Sequence, residues 1–244
     1  MSKLNNILAI VLAVTWTLFI ITMVNLVGIK EERLINQIAI SQAHSVFQII
    51  VDMRSWTASQ GGVYVVPSEA TPPNPYLDHP RRDVETTDGM KLTLVNPSYM
   101  TRQVSEIGLE RRGVKTRLTS LRPIRPANAA VGWEKAALES FEAGESSFFE
   151  LVQDGDRRHM YRYMAPLMLE ESCNNCHIPA HSAKGIRGGI SITFPVEDLV
   201  QSRIHIMRLN RLTFASIWLI GLFVIGGLAL VMEKVLPGWK TVRK

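Results

Sequence analysis

Cysteine is nearly absent from this chain: its 244 residues include only two, Cys173 and Cys176, within one short segment. Two cysteines this close together cannot cross-link distant parts of a fold through a disulfide bond. The class of small disulfide-rich domains is therefore excluded. The length leaves room for one domain with its own hydrophobic core. The two cysteines therefore point to chemistry at a single place in the chain.

The sequence also lacks a strong charge excess, internal repeats and low-complexity stretches. Its formal net charge is +5, and many of its cations flank two long apolar runs instead of forming a stripe. Cations next to apolar runs meet lipid headgroups, whereas nucleic-acid binding requires a basic patch or stripe. We therefore expect membrane lipid and no nucleic acid among the partners.

Residues 173–177 read Cys-Asn-Asn-Cys-His, which is the C-x-x-C-H attachment signature of a c-type haem. In that signature both thiols add to the haem vinyl groups, and the histidine becomes an axial ligand of the iron. The sequence thus predicts one covalent haem c on Cys173 and Cys176, with His177 as axial ligand. A thioredoxin-like redox pair would follow a buried strand, and zinc held with His181 would need a loop between ligand pairs; both interpretations are weaker.

Two long uncharged runs extend from Leu4 to Ile29 and from Leu212 to Met232. Each exceeds the roughly 20 residues that a helix needs to cross the hydrocarbon of a bilayer. The first run is longer than the apolar core of a signal peptide and has no A-x-A-like cleavage site, so we expect an uncleaved anchor. The predicted organisation is a first transmembrane helix (1–29), a soluble domain (30–211), a second transmembrane helix (212–232) and a tail (233–244).

Charge does not orient these two helices. Five Lys or Arg residues lie beyond the outer ends of the two runs and five flank the inner ends, so the positive-inside rule is uninformative. Haem c is attached outside the cytoplasm, which predicts an inner-membrane protein with its main domain in the periplasm and both termini in the cytoplasm. Gly221, Gly226 and Gly227 either let another helix approach, in this chain or in an oligomer, or simply tolerate lipid.

The soluble part combines helical and strand patterns. A helix from Glu31 to about Ser59 continues the first membrane helix and has two apolar faces. The main face comprises Ile35, Ile38, Ala39, Val46, Ile49, Met53 and Trp56, and the second comprises Ile40, His44, Phe47 and Val51.

Shorter elements follow that helix, with helices and strands segregated along the chain. This pattern predicts an α+β domain built on one antiparallel sheet with helices to one side. The predicted segments are a strand at Val63–Val66, an irregular proline-rich wrap at 67–80, a helix at 97–110, a basic turn-rich segment at 111–128, a helix at 133–144, a hairpin of 148–152 with 159–167, and a strand at 190–194.

Seven segments occur in a characteristic order between about Ala43 and Val200: RSWTASQGGVYVVP, TPPNPYL, DGMKLTLVNPSYMTRQVSE, RLTSLRPIRPANAAVGWE, RYMAPL, the C-x-x-C-H segment and RGGISITFP. In these segments the chain resembles the haem-c, PAS-like periplasmic sensor domain family, formerly a domain of unknown function. The resemblance implies a PAS-like fold, in which an antiparallel sheet carries a long N-terminal helix and one covalent haem c. It also implies a role in sensing redox state or a diatomic gas.

The chain departs from the family pattern at two places. Family members often carry a histidine just before the glycines of GGVYV, where this chain has Gln60, a poor iron ligand. The family domain often precedes a signalling module, whereas only MEKVLPGWKTVRK follows the second apolar run. We therefore expect any output to come from a separate polypeptide.

The ligand opposite His177 is less well determined by the sequence. His44 is the best candidate because it lies in an apolar helix face wide enough to pack a porphyrin. A hydrogen-bonded core histidine at position 44 and a vacant iron position are the alternatives. Surface positions are expected for His79, His159, His181 and His205, and core positions for Met53 and Met164.

The haem propionates are carboxylates that need cationic partners. Candidates are Arg117, Arg122, Arg125 and Arg187. Arg187 is preferred because it follows His177 by ten residues.

Two functional classes follow from these features. A membrane-anchored electron carrier, or the haem subunit of a membrane complex, fits a covalent haem without an output module. The alternative is a haem-based redox or gas sensor that moves the membrane helices and signals through a membrane or redox partner protein. No enzyme is predicted, because no distal His–Arg pair for acid–base catalysis can be assigned.

Overall fold

The computed structural model of this protein describes residues 2–156, 158–168 and 185–235. These residues form four α-helices and seven β-strands in two antiparallel sheets. The α+β class with a long N-terminal helix is confirmed, although the strands make two sheets where the sequence predicted one. The elements are α1 (Ser2–Ser59), β1 (Val63–Val65), β2 (Asp83–Glu85), β3 (Lys91–Val95), α2 (Pro97–Arg112), β4 (Lys115–Thr119), α3 (Trp133–Ala143), β5 (Phe148–Gln153), β6 (His159–Met168), β7 (Ile186–Pro195) and α4 (Glu197–Val235).

The chain divides into two compact units, of which one combines residues 1–37 with 198–244. This unit contains parts of α1 and α4, and both helices are long and apolar enough to cross a membrane. The Trp16 indole N–H donates to the carbonyl of Trp218 at 3.2 Å, and a Cβ at position 221 would collide with the Trp16 ring. Gly221 therefore allows α1 and α4 to approach each other closely. This is one of the two roles expected for it.

The second unit comprises residues 38–197. Its largest core joins α1 to the four-stranded sheet, whose strand order is β4-β7-β6-β5. The helix contributes Ala43, Phe47 and Ile50 to this core. The sheet contributes Tyr163, Ala165, Ile190 and Ile192 from its two central strands.

The predicted main face of α1 was right at Ala39, which is fully buried, and wrong at the exposed residues Ile38, Val46, Ile49, Met53 and Trp56. Trp56 is 60% exposed and Ile49 is 58% exposed, whereas Ala43 is 1% exposed. Hydropathy favours the larger apolar residues, but a helix that packs closely on a sheet needs small side chains at its nearest points. The buried face therefore belongs mainly to Ala39, Ala43, Phe47 and Ile50.

Helices cover both faces of the four-stranded sheet, which corrects the expectation of helices to one side. Side chains alternate along a strand, so Tyr163 faces α1 while its neighbour Met164 packs with Leu138 and Phe141 of α3. The sequence did predict α3 with these two residues inward. It also predicted the β5–β6 hairpin across Asp154–Gly155.

The basic segment predicted as turn-rich contains strand β4, which pairs antiparallel with β7. Helix α2 precedes it, as expected, and begins where the Asn96 side chain accepts a hydrogen bond from the Tyr99 amide at 2.9 Å. The second sheet has the order β1-β3-β2. Its β2–β3 hairpin was missed, although Asp88–Gly89 and the alternation of KLTLV are hairpin signals.

A charged side chain lies buried between α3 and the sheet. Glu134 is 2% exposed, and its carboxylate accepts a hydrogen bond from the Ser191 hydroxyl at 2.7 Å. Arg117 on β4 pairs with the same carboxylate at 3.1 Å. Because a buried ion left without its partner is strongly unfavourable, this triad ties α3, β4 and β7 together.

We predict that Arg117→Met lowers the free energy of unfolding by about 3–5 kcal/mol, because it leaves the buried Glu134 carboxylate without its cationic partner. The matched control is Arg158→Met, which breaks the ion pair with Asp154 at the surface and should change the free energy of unfolding far less. Chemical denaturation of the purified protein measures both. Equal effects of the two substitutions would show that Arg117 does not sustain the core.

Candidate functional site

His44 lies on α1 beside the core that the helix makes with the sheet. Its Nδ1 atom is 3.0 Å from the hydroxyl oxygen of Tyr163 on β6. The imidazole stacks on Phe47, with ring centroids 6.3 Å apart, and Tyr163 meets both rings edge-on. The helix spacing of three residues and the strand position of Tyr163 thus create an aromatic cluster around one imidazole.

Two side chains lie within hydrogen-bond distance of the His44 ring. The side-chain amide of Gln48 lies 3.4 Å from Nε2, and the Tyr163 hydroxyl lies 3.0 Å from Nδ1. The tautomer that carries its proton on Nδ1 donates to Tyr163 and leaves the Nε2 lone pair for another partner. The His44 side chain is exposed.

Tyr163 is suited to hold this arrangement. It is 2% exposed, and burial raises the pKa of its phenol above the usual value of 10. The hydroxyl therefore stays neutral at physiological pH and can accept a hydrogen bond from His44 Nδ1.

Arg187, the residue predicted to meet the propionates, is the second residue of β7. Its backbone carbonyl accepts a hydrogen bond from the Ser120 hydroxyl at 3.0 Å. Ile192, which pairs with Tyr163, lies five positions further along β7, or about 17 Å of strand. The structure therefore places His44 and Arg187 at different parts of the sheet.

The cysteines and histidine of the haem signature, Cys173, Cys176 and His177, lie outside the described residues, as does His181. On either side of the signature, the described residues extend to Met168 on β6 and continue from Gly185, just before β7. Those two central strands flank the signature in sequence. Predictions for the signature residues stay predictions.

The remaining candidates lie elsewhere. The ring of His159 is 3.3 Å from the Glu197 carboxylate, and that of His79 accepts from the Arg81 amide at 3.2 Å. Met164 is fully buried on the α3 side of the sheet, so the sheet separates it from His44. The Arg117 guanidinium forms an ion pair with the Glu134 carboxylate. Of the candidates for the second axial ligand that the structure describes, His44 alone combines an accessible nitrogen with an aromatic surround.

Sequence reasoning missed the two residues that orient His44. Gln48 carried a readable signal, since it is one helical turn after His44. Tyr163 carried none, because it is 119 positions away and only the packing of α1 on β6 brings the two together.

Known proteins provide a second line of observation on this site. No curated protein matches the chain. Among solved structures it is similar to the crystal structure of the cyanobacterial heme-protein Tll0287, with 17% sequence identity, a TM-score of 0.43, and coverage of 66% of this chain and 96% of that chain.

The Tll0287-like family model matches residues 31–195, which is more than half of the chain. The match includes the His44 cluster, the four-stranded sheet and the C-x-x-C-H segment. This chain belongs to the Tll0287-like family.

Proposed function

We propose that this protein is a membrane-anchored mono-haem c protein of the periplasm, acting in electron transfer or as the haem subunit of a membrane complex. The observation that carries the proposal is the segment Cys173-Asn174-Asn175-Cys176-His177, because C-x-x-C-H is the signature of covalent haem attachment. Membership of the Tll0287-like family over residues 31–195 is consistent with it. The two apolar helices supply the anchor.

The residues around His44 fit an iron ligand. A metal-bound histidine typically donates its other ring N–H to a fixed acceptor, which sets the tautomer and strengthens the ligand. His44 does this through Nδ1 and Tyr163 at 3.0 Å, and the Nε2 lone pair points away from the core. Phe47 adds an apolar surface beside the imidazole.

Each residue has a separate role in this proposal. When bound, haem supplies a one-electron couple at its iron. Cys173 and Cys176 would tether the group, His177 and His44 would supply nitrogen ligands to its iron, and Arg187 would meet a propionate. Tyr163 fixes the direction of the His44 lone pair, and Phe47 limits the approach of water.

The alternative is a haem-based sensor of redox state or a diatomic gas that signals through a separate protein. Two fixed histidine ligands favour the carrier, because they keep the iron coordination unchanged between oxidation states. A vacant or easily displaced position would favour the sensor. The iron ligand opposite His177 therefore discriminates between the two functions.

We predict that haem remains attached to the polypeptide under denaturing conditions, because thioether bonds do not depend on the fold. A denaturing gel of wild-type protein, expressed in a host that matures c-type cytochromes, should show haem peroxidase activity at the mass of the chain. The double variant Cys173→Ala/Cys176→Ala should show none. A colourless wild-type band from that host would contradict the proposed function.

The second prediction concerns His44. The ferrous wild-type protein should be low-spin and slow to bind carbon monoxide, because His44 Nε2 fills the sixth position. His44→Ala should give high-spin iron that binds carbon monoxide at once. Tyr163→Phe removes the acceptor for the Nδ1 proton and should weaken the ligand roughly 10–100-fold, seen as a partly high-spin spectrum.

His79→Ala is the matched control for these spectra, since His79 is a histidine of the proline-rich wrap. It should leave the iron low-spin. Ferrous wild-type protein that is already high-spin and binds carbon monoxide immediately would show that His44 is no ligand, and the sensor alternative would then be preferred.

We also predict two membrane spans with both termini in the cytoplasm and no cleavage. The intact mass of purified protein should include Met1 or Ser2, and a reporter enzyme that is active only in the periplasm should be inactive when fused after Lys244. Recovery of a chain that starts near Lys30 would identify the first apolar run as a signal peptide instead.

A further inference from the structure

An apolar stripe runs along the part of α1 that belongs to the unit of residues 38–197. It consists of Val46, Ile49, Met53 and Trp56, all of which are exposed in the part of the chain that the structure describes. Residues three and four apart are neighbours on the surface of a helix, so these four side chains form one contiguous patch. Contiguous exposed apolar patches mark interaction sites, whereas single exposed apolar residues are normal.

The stripe and the candidate iron ligand lie on different flanks of α1. With 3.6 residues per turn, the four stripe residues lie roughly 120–180° around the helix from His44. A haem ligated by His44 and a partner that covers the stripe therefore occupy separate surfaces of the helix.

The charge of this part of α1 favours a second copy of the chain as the partner. No Asp, Glu, Lys or Arg occurs from Ile38 to Val51, although roughly a quarter of the residues in soluble domains are charged. A parallel, symmetric pair of helices brings each residue of the contact against the same residue of its partner, so a charge there would face a like charge. A different protein would be selected by complementary charges, which this stretch does not offer.

The polar residues next to the stripe are also compatible with self-pairing. Gln42 lies four residues before Val46, and Ser45 and Gln48 lie beside it; all three side chains are exposed and uncharged. An amide or a hydroxyl carries both a donor and an acceptor, so two copies of the same side chain can form a hydrogen bond with each other. Tryptophan and methionine, here Trp56 and Met53, are enriched in protein interfaces.

We propose that α1 pairs in parallel with α1 of a second copy of this chain, through the stripe of Val46, Ile49, Met53 and Trp56. The parallel orientation rests on the membrane anchor of the proposed function, because copies anchored through the first apolar run share one direction in the membrane. Val46 to Trp56 covers about 15 Å of helix, which is a short contact for two freely diffusing proteins. Confinement to one membrane raises the effective concentration of the two helices and thereby favours their pairing.

Disulfide cross-linking of the full-length, haem-loaded protein in its native membrane tests the position of the contact. A disulfide needs two Cα atoms within about 7 Å of each other, which parallel pairing provides along the stripe. Oxidation of Ile49→Cys should give a reducible band at twice the mass of the chain. The matched control is Ser55→Cys, which introduces the same thiol at an exposed residue of α1 about 120° around the helix from Ile49, and it should lack this band.

A charge test uses two differently tagged copies of the chain, expressed together and purified through one tag. Ile49→Asp in both copies should lower co-purification at least roughly tenfold, because like charges then face each other. Ile49→Asp in one copy and Ile49→Lys in the other should restore it. Ser55→Asp in both copies is the matched control and should co-purify as the wild type does.

The proposal is overturned if tagged wild-type copies do not co-purify, or if Ile49→Cys cross-links no better than Ser55→Cys. Unchanged co-purification with Ile49→Asp in both copies would also overturn it and would assign the pairing to the membrane helices. Failure of the Asp–Lys combination to restore co-purification would exclude a contact of Ile49 with itself. Haem staining and the intact mass of the same preparations score the proposed haem and anchor separately, so failure of the proposed function is distinguishable from failure of pairing.

Discussion

The close packing of α1 on the four-stranded sheet is the contact on which the unit of residues 38–197 depends. Ala43 permits the helix to approach β6 and β7, and Phe47 and Ile50 fill the space against Ile190 and Ile192. Burial of such side chains supplies the main favourable free energy of folding. The same contact sets His44 against Tyr163, so the core and the orientation of the candidate ligand arise from one interface.

The sheet also separates two kinds of polar chemistry. On the α1 side, the neutral phenol of Tyr163 lies within hydrogen-bond distance of the His44 imidazole. On the α3 side, Arg117 neutralises the buried Glu134. A satisfied buried ion pair of this kind ties neighbouring elements together, because either ion without its partner is strongly unfavourable.

Membership of the Tll0287-like family places this chain among proteins with a related domain over residues 31–195. The proposed electron carrier and the alternative sensor differ in the group that occupies the iron position opposite His177.

Local features of the sequence determined several secondary-structure elements of this protein. The apolar runs predicted two long helices, Asp154–Gly155 predicted the β5–β6 hairpin, and Leu138 and Phe141 predicted the inner face of α3, because each signal lies within a few residues of the structure it specifies. The C-x-x-C-H segment likewise carries its chemical prediction in five residues. Only the tertiary structure decided that Ala43 and Phe47 are buried while Ile49 and Trp56 are exposed, that β4 is a strand, and that Tyr163 meets His44. These features depend on residues far apart in the chain, and a helix with several apolar faces does not specify by hydropathy which face another element will cover.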